Sequence, residues 1–143
     1  MDILLAKDDF LLTTDGEVSH KKISVLDAYS KIKNSEDIEI ICYSSEKNAL
    51  VTRDIKDIVK DGKHTLLEIE TEGNNVLIEP MNELKTNEGF MQARYLTPYT
   101  ELVNVTTNQL IPIKGINSNI TEQMFKISVN SSGSPVVNNL VIR

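Results

Sequence analysis

The chain has 143 residues, a length typical of one compact domain, and we predict a single domain over residues 1–143. Its net charge of −6 disfavours nucleic acid as a partner, because an acidic surface repels phosphate backbones. Aromatic residues make up only 5% and there is no tryptophan, so the core must be built from Ile, Leu and Val, which favour strands.

Cys42 is the only cysteine, which excludes an internal disulfide and a cysteine-rich metal site. Its position in the apolar run at residues 40–43 predicts a buried thiol. No stretch approaches the length of a membrane span, and the opening residues lack the basic region of a signal peptide. We therefore expect a cytoplasmic or otherwise intracellular protein without a membrane partner. No residue pattern indicates a cofactor, a metal or a small-molecule substrate.

Two short apolar runs open the chain, at residues 4–6 and 10–13, and each predicts a β-strand. The acidic pair Asp8-Asp9 between them is typical of a solvated turn. A second turn is predicted at Asp15-Gly16, because Asp-Gly readily adopts the positive φ of tight hairpins.

One clear helix follows over Val25–Lys33, with Ser24 as its predicted N-cap. Its apolar residues recur at helical spacing, so we expect that stripe to face the core. The stripe consists of Val25, Leu26, Tyr29 and Ile32.

Beyond the helix, apolar runs alternate with turns about every 8–12 residues, the spacing of a sandwich or barrel of short strands. The predicted strands cover residues 38–43, 50–59, 66–71, 76–79, 90–96, 125–129 and 136–142. The predicted turns lie at Asp61-Gly62, residues 72–75, residues 86–89 and Asn138-Asn139. The predicted fold class is therefore all-β, mainly β with one short helix.

Three blocks of the sequence resemble those of a known family. Residues 4–16 are similar to the intein opening, which begins with a nucleophilic Cys or Ser and reaches an Asp-Gly turn at the same spacing. Residues 66–102 resemble a central block in which Thr-x-x-His precedes an apolar residue, a Thr and a Gly-aromatic pair. Residues 125–143 match the closing block in length and apolar pattern. In this order the blocks resemble the Hint domain, the fold shared by inteins and the hedgehog autoprocessing domain.

The resemblance implies a horseshoe-like array of short antiparallel strands that brings both termini to one central site. Autoprocessing in this family begins when a thiol or hydroxyl at the first position attacks the preceding carbonyl. The resemblance places Leu4 there, and leucine has no nucleophilic atom. Glu79 and Asn82 correspond to the Thr and His of the central block. Asn cannot transfer a proton near neutral pH, whereas His can.

The closing block of the family carries an Asp, a His and a terminal His-Asn pair. The resemblance places Lys126, Gly133 and Arg143 at the first three of these positions, and no Asn follows. His64 lies outside the motif spacing, so we expect it not to substitute for the missing histidine. We also hypothesise that Glu79 and Lys126 form an ion pair at the former catalytic centre, with Arg143 as a second cation.

Since every position carried over from the family has changed, we expect that the chain is not an enzyme. The interpretation that follows is a structural or protein–protein interaction module with an unidentified protein partner, within a larger assembly such as a virion. Residues 33–37 and 106–119 are the loops expected to contact that partner. One alternative is a self-processing intein-type element that uses a non-standard route, with its nucleophile supplied by a neighbouring residue or a partner chain. Another is an unrelated small β-barrel.

Overall fold

The computed structural model describes residues 2–14, 20–73, 75–130 and 132–143. Its described residues form a twelve-stranded sheet, one α-helix and one 3-10 helix. The strands are β1 Asp2–Ala6, β2 Phe10–Thr14, β3 His20–Ser24, β4 Glu39–Ser44, β5 Ala49–Thr71, β6 Asn75–Ile78, β7 Glu83–Thr86, β8 Gly89–Gln92, β9 Glu101–Asn104, β10 Gln109–Val129, β11 Ser134–Val137 and β12 Leu140–Val141. The helices are α1 Val25–Lys33 and the 3-10 helix Ala93–Tyr95. The predicted all-β class with one short helix is confirmed; the predicted Asp15-Gly16 turn lies outside the described residues.

The sheet is antiparallel and is organised around two long strands, β5 and β10. Its order is β12-β11-β2-β4-β5-β10-β9-β7-β8, with β1 paired to β10, β3 to β2 and β6 to β5. The strands β5 and β10 have 23 and 21 residues, so these two are far longer than the short strands predicted from the turn spacing. Several register shifts interrupt their pairing. Such irregularities bend a strand and increase its twist, which lets one strand take part in different regions of a curved sheet.

The predicted turn at Asp61-Gly62 is wrong, because both residues lie inside β5. The register shifts there: Lys60 pairs with Phe125 and Lys63 with Gln123. Gly62 has a φ of 80°, a backbone conformation that glycine adopts without a Cβ clash. The sequence signal for a turn therefore marks a β-bulge.

Helix α1 begins and ends as predicted. The backbone N–H of Asp27 donates to the Ser24 hydroxyl at 3.1 Å, which caps the helix. Tyr29 packs against Phe125 of β10, with ring centres 5.0 Å apart. The predicted apolar stripe is wrong at Leu26, which is 41% exposed.

The core is mainly aliphatic, and Cys42 is fully buried within it, as predicted. Burial raises the pKa of the Cys42 thiol to about 11, and nearby Arg53 lowers it slightly.

A smaller group of apolar side chains lies where β1, β5, β6 and β10 meet, and we call it the N-terminal apolar cluster. It consists of Ala6, Leu66 and Met124, with partly buried Leu4 and Leu77 packed against them.

The loops expected to contact a partner are only partly loops. Residues 34–38 connect α1 to β4 and are mostly exposed, in line with the prediction. Most of residues 106–119 instead belongs to β10, which begins at Gln109 after a turn. Pairing with β9 and β5 satisfies the backbone there, so the polar composition of the segment reflects exposed strand faces. Within the described ranges, no helix is long and apolar enough to cross a membrane.

Candidate functional site

The position expected for the family nucleophile lies in an apolar setting. Leu4 sits in β1, where it pairs with Lys126 of β10. Its side chain packs on the N-terminal apolar cluster beside Leu77 of β6. Strand β1 is thereby held next to β6, the strand that ends immediately before Glu79.

The other end of the described chain reaches the same part of the fold. Arg143 and Glu83 exchange two backbone hydrogen bonds of 2.9 and 2.7 Å, and Arg143 Nε donates to Glu83 Oε1 at 2.9 Å. Glu83 directly follows Asn82. The segment from Glu79 to Asn82 therefore lies between β1 on one side and Arg143 on the other, as the predicted convergence of the two ends requires.

A tight turn fixes the segment between β6 and β7. The backbone N–H of Asn82 donates to the carbonyl of Glu79 at 3.1 Å, and Ala93 N–H donates to the carbonyl of Asn82 at 2.8 Å. These bonds hold the backbone of both motif positions in place. Their side chains therefore project from a fixed frame.

His64 joins this site from β5. Its Nδ1 lies 2.7 Å from Glu79 Oε1, while its Nε2 lies 2.8 Å from the Asp61 carbonyl and 3.1 Å from Asp61 Oδ2. The contact with Glu79 is an ion pair by distance, yet that carboxylate oxygen is buried without a well-directed hydrogen bond. The hydrogen bond with the Asp61 carbonyl has the largest effect and raises the pKa of His64; burial lowers it, and the Glu79 and Asp61 carboxylates raise it further, so the net pKa is raised.

The hypothesis that Glu79 forms an ion pair with Lys126 is wrong. The position of His64 beside Glu79 was not predicted, and the expectation that His64 does not substitute for the motif histidine stays a prediction. Glu79 pairs with His64 instead, and Lys126 forms no ion pair within 4 Å among the described residues. The pairing of β5 with β6 sets Leu67 opposite Ile78. The next position outward places Leu66 opposite Glu79. His64 lies two residues from Leu66 and so points to the same face of the strand as Leu66, towards Glu79.

A buried acid lies nearby and was not predicted. Asp9 is 3% exposed, so the solvated reading of the acidic pair is wrong at this residue, although Asp8 is exposed. Asp9 Oδ1 accepts a 3.3 Å hydrogen bond from Leu77 N–H, and Oδ2 is buried with no partner among the described residues. Burial raises the pKa of Asp9 to about 8, although hydrogen bonds with backbone groups of Leu77 and Ala6 lower it.

Three of the described residues in the closing block, residues 125–143, have a positive φ that favours glycine or asparagine. Gly133 has a φ of 146°, and a Cβ there would lie 3.1 Å from Cys42 Cβ, so a larger side chain at this position would require a shift. Asn138 and Asn139 have φ values of 51° and 66°, which confirms the predicted turn between β11 and β12. The Asn138 side chain also accepts a 2.8 Å hydrogen bond from Phe10 N–H, which ties this turn to β2.

Among the described side chains, no three or more His, Cys, Asp or Glu residues are grouped so that they could hold a metal ion. The ionisable side chains that meet at this site include His64, Glu79 and Arg143.

The whole described chain resembles the structures of inteins. No family model matches the sequence, and no curated protein matches it. The DnaB intein from Synechocystis sp. PCC 6803 matches with a TM-score of 0.80 at 15% identity, covering 100% of this chain and 98% of that one. The DnaX mini intein from Spirulina platensis matches with a TM-score of 0.78 at 14% identity, covering 99% of each chain. The TvoVMA intein matches with a TM-score of 0.74 at 20% identity, covering 97% and 95%. The chain therefore has the Hint fold, as the sequence blocks predicted.

The expectation that the chain is not an enzyme is contradicted by these likenesses, because inteins are self-processing protein-splicing enzymes. That expectation assumed that only residues at the motif positions can act. The fold instead brings His64 to Glu79 from outside the motif spacing. Leu4 and Asn82 change which groups could act, and by themselves they do not decide whether the domain is active.

Proposed function

We propose that this chain is a self-processing domain of the intein type, in which the attack on the backbone does not come from the side chain of Leu4. The observation that carries the proposal is the convergence of the two ends: β1 packs beside β6, and Arg143 pairs with Glu83. Holding two distant parts of a chain beside one turn is what a reaction at both junctions requires.

The bond at issue on the N-terminal side joins Ile3 to Leu4. Because Leu4 offers no nucleophile, we take water as the attacking group, which requires no second chain. With water, the oxygen adds to the carbonyl carbon of Ile3 and the bond to the Leu4 nitrogen breaks. The nitrogen then takes a proton, which leaves a carboxyl group on Ile3 and an amine on Leu4.

His64 is one group at this site that is suited to proton transfer. Imidazole titrates near neutral pH, and its hydrogen bond with Asp61 and the charge of Glu79 favour the protonated form. A protonated imidazole can give its proton to a leaving amine. Glu79 and Asp61 contact its two ring nitrogens and hold the ring in one orientation.

Intact-mass measurement of the full chain with a tag at each end tests the proposal. We expect products cut before Leu4 or after Arg143 to accumulate between pH 6 and 8. His64→Gln should slow their appearance by at least about a hundredfold, the usual size of a general acid or base contribution. Lys63→Gln, an exposed neighbour on β5, is the matched control and should leave the rate unchanged. If only the uncut mass persists after days at each pH, the proposal is overturned.

A second candidate function is binding of a protein partner. The observation that favours it is the pair of clefts on the C-terminal side of the site, one beside Arg143 and the other beside Lys85. Binding and self-processing do not exclude one another, since the clefts and the His64–Glu79 pair are formed by different residues.

A further inference from the structure

Two clefts on the C-terminal side of the fold meet at Tyr43, and together we call them the Tyr43 cleft. The first has a volume of about 290 Å³ and is lined by Tyr43, Arg143 and segments 44–46 and 132–134. The second has a volume of about 310 Å³, and its polar lining comes from Tyr43, Lys85, Asn48 and Asn108. Each is near the lower size limit of a small-ligand site, and because they share Tyr43, a ligand that fills both must be extended.

Two cations border the Tyr43 cleft, and both stack on aromatic rings. The guanidinium carbon of Arg143 lies 3.8 Å from the centre of the Phe90 ring. Lys85 Nζ lies 5.6 Å from the same ring centre and 4.6 Å from that of Tyr43. The centres of the Tyr43 and Phe90 rings are 6.4 Å apart. The two rings therefore form one aromatic surface that holds both cations beside the cleft.

Both cations keep hydrogen-bond donors for a ligand. Lys85 Nζ donates to the Tyr43 hydroxyl at 3.4 Å and has no acidic partner within 4 Å among the described residues. Arg143 directs its Nε to Glu83, and a guanidinium has five N–H donors. An anionic group in the first cleft can therefore be bound by Arg143, and one in the second cleft by Lys85.

The local charges, and not the net charge of the chain, decide which ligand the cleft attracts. Charges farther away than about 8 Å are largely screened at physiological salt. Among the described residues, Glu46 lines the first cleft, and Glu83 is bound by Arg143 beside it. A carboxylate of a ligand should therefore have its most favourable charge interaction with Lys85, which is half-buried and has no acidic partner among the described residues.

We propose that the Tyr43 cleft binds an extended peptide segment with carboxylates on alternate residues, held by Lys85 and Arg143. Side chains two residues apart on an extended strand share one face, about 7 Å apart. That spacing lets two carboxylates reach two cations that lie over the same Phe90 ring. The amides of Asn48 and Asn108 can hydrogen-bond the peptide backbone. This binding does not depend on the self-processing function.

NMR titration of the ¹⁵N-labelled full chain with the peptide acetyl-Glu-Ala-Glu-amide tests the proposal. We expect saturable shifts of the amides of residues 43–48, 85 and 132–134. The matched peptide acetyl-Gln-Ala-Gln-amide should produce none of comparable size. Lys85→Gln should weaken binding about tenfold, since one charge-assisted contact is lost, whereas Lys63→Gln should leave it unchanged. Arg143→Gln, at the other cleft, is the second variant and should weaken binding less, because Arg143 is shared with Glu83.

Three outcomes overturn the proposal. The first is no shift at millimolar peptide, and the second is equal affinity of the acidic and amide peptides. The third is tighter binding of inorganic phosphate, added as a separate probe, at the same amides; the cleft would then be a phosphate site.

Discussion

The two sides of the site differ in chemistry although one turn separates them. On the N-terminal side, Leu4 packs with Leu66 and Met124 in an apolar cluster. On the C-terminal side, Arg143 pairs with Glu83 and stacks on Phe90. Apolar packing is strong and not directional, while a half-exposed ion pair is weak and directional. The N-terminal side should therefore supply stability, and the C-terminal side should supply recognition.

The largest effect is expected from breaking the N-terminal apolar cluster. Leu66 is 1% exposed, so Leu66→Ala leaves a cavity between β5, β1 and β10 and should lower the free energy of unfolding by about 2–5 kcal/mol. Urea denaturation followed by circular dichroism measures the loss. Leu110→Ala, at an exposed position of β10, is the control. A change below about 1 kcal/mol for Leu66→Ala would show that the cluster is not a packed part of the core.

An effect of comparable size and opposite sign is expected at Asp9. Its folded-state pKa of about 8 lies above the usual value of 3.8. The carboxyl therefore destabilises the fold progressively as the pH rises from about 4 to about 8, and the cost stays constant above that range. Asp9→Asn should stabilise the chain by a few kcal/mol at pH 8 and by almost nothing at pH 4, on the order set by that pKa difference.

Denaturation curves at several pH values check this prediction. Asp8→Asn changes an exposed neighbour whose charge is the smallest cause of the Asp9 shift, so most of the wild-type pH dependence should remain. If Asp9→Asn lowers stability at pH 8, the buried carboxyl is ionised and bound to a partner, contrary to the geometry described.

On the C-terminal side, Arg143→Gln should cost at most about 1 kcal/mol, because the ion pair with Glu83 is partly exposed and screened by solvent. The thermal midpoint should fall only slightly, and Arg94→Gln, at an exposed cation that also stacks on an aromatic ring, provides the comparison. A loss as large as that of Leu66→Ala would contradict the division between the two sides.

The smallest effect on stability is expected from Glu79→Gln. The main expected change is in the pKa of His64. Removing the carboxylate takes away one cause of the raised pKa, so the pKa of His64 should fall while the contact with Asp61 keeps part of the shift. The stability contributed by the protonated His64 is present below its ordinary pKa of 6.5 and is lost as the pH rises through its folded-state pKa. NMR titration of the imidazole protons measures the shift. An unchanged pKa would show that the 2.7 Å contact carries no charge interaction.

Much of the fold could be predicted from local patterns. Helix α1 has the predicted bounds because its cap at Ser24 and its periodicity act within a few residues. The β5–β6 and β7–β8 hairpins lie where the turn residues predicted a reversal of the chain. The Asp61-Gly62 bulge could not be distinguished from a turn, because glycine with a positive φ serves both. Whether a turn ends a strand depends on its partner, here β10.

The site was less predictable, because its contacts also depend on which strands pair. Matching the sequence to the family's blocks identifies the positions that correspond to its catalytic residues, and the roles of these positions stay predictions. They are Leu4, Glu79, Asn82, Lys126, Gly133 and Arg143. The partner of Glu79 depends on strand register, and the burial of Asp9 depends on β6 lying over it. Nothing in the acidic pair Asp8-Asp9 distinguishes the exposed carboxylate from the buried one.

By itself, the sequence determined the class of the fold, its single helix, most of its turns and the absence of a nucleophilic atom at Leu4, because each of these depends on neighbouring residues or on a side chain's own chemistry. Only the tertiary structure decided which charges meet: His64 with Glu79, Arg143 with Glu83, and Lys85 with no acidic partner among the described residues. These pairings join residues far apart in the chain. Their energies depend on distance and burial, which a sequence pattern does not contain.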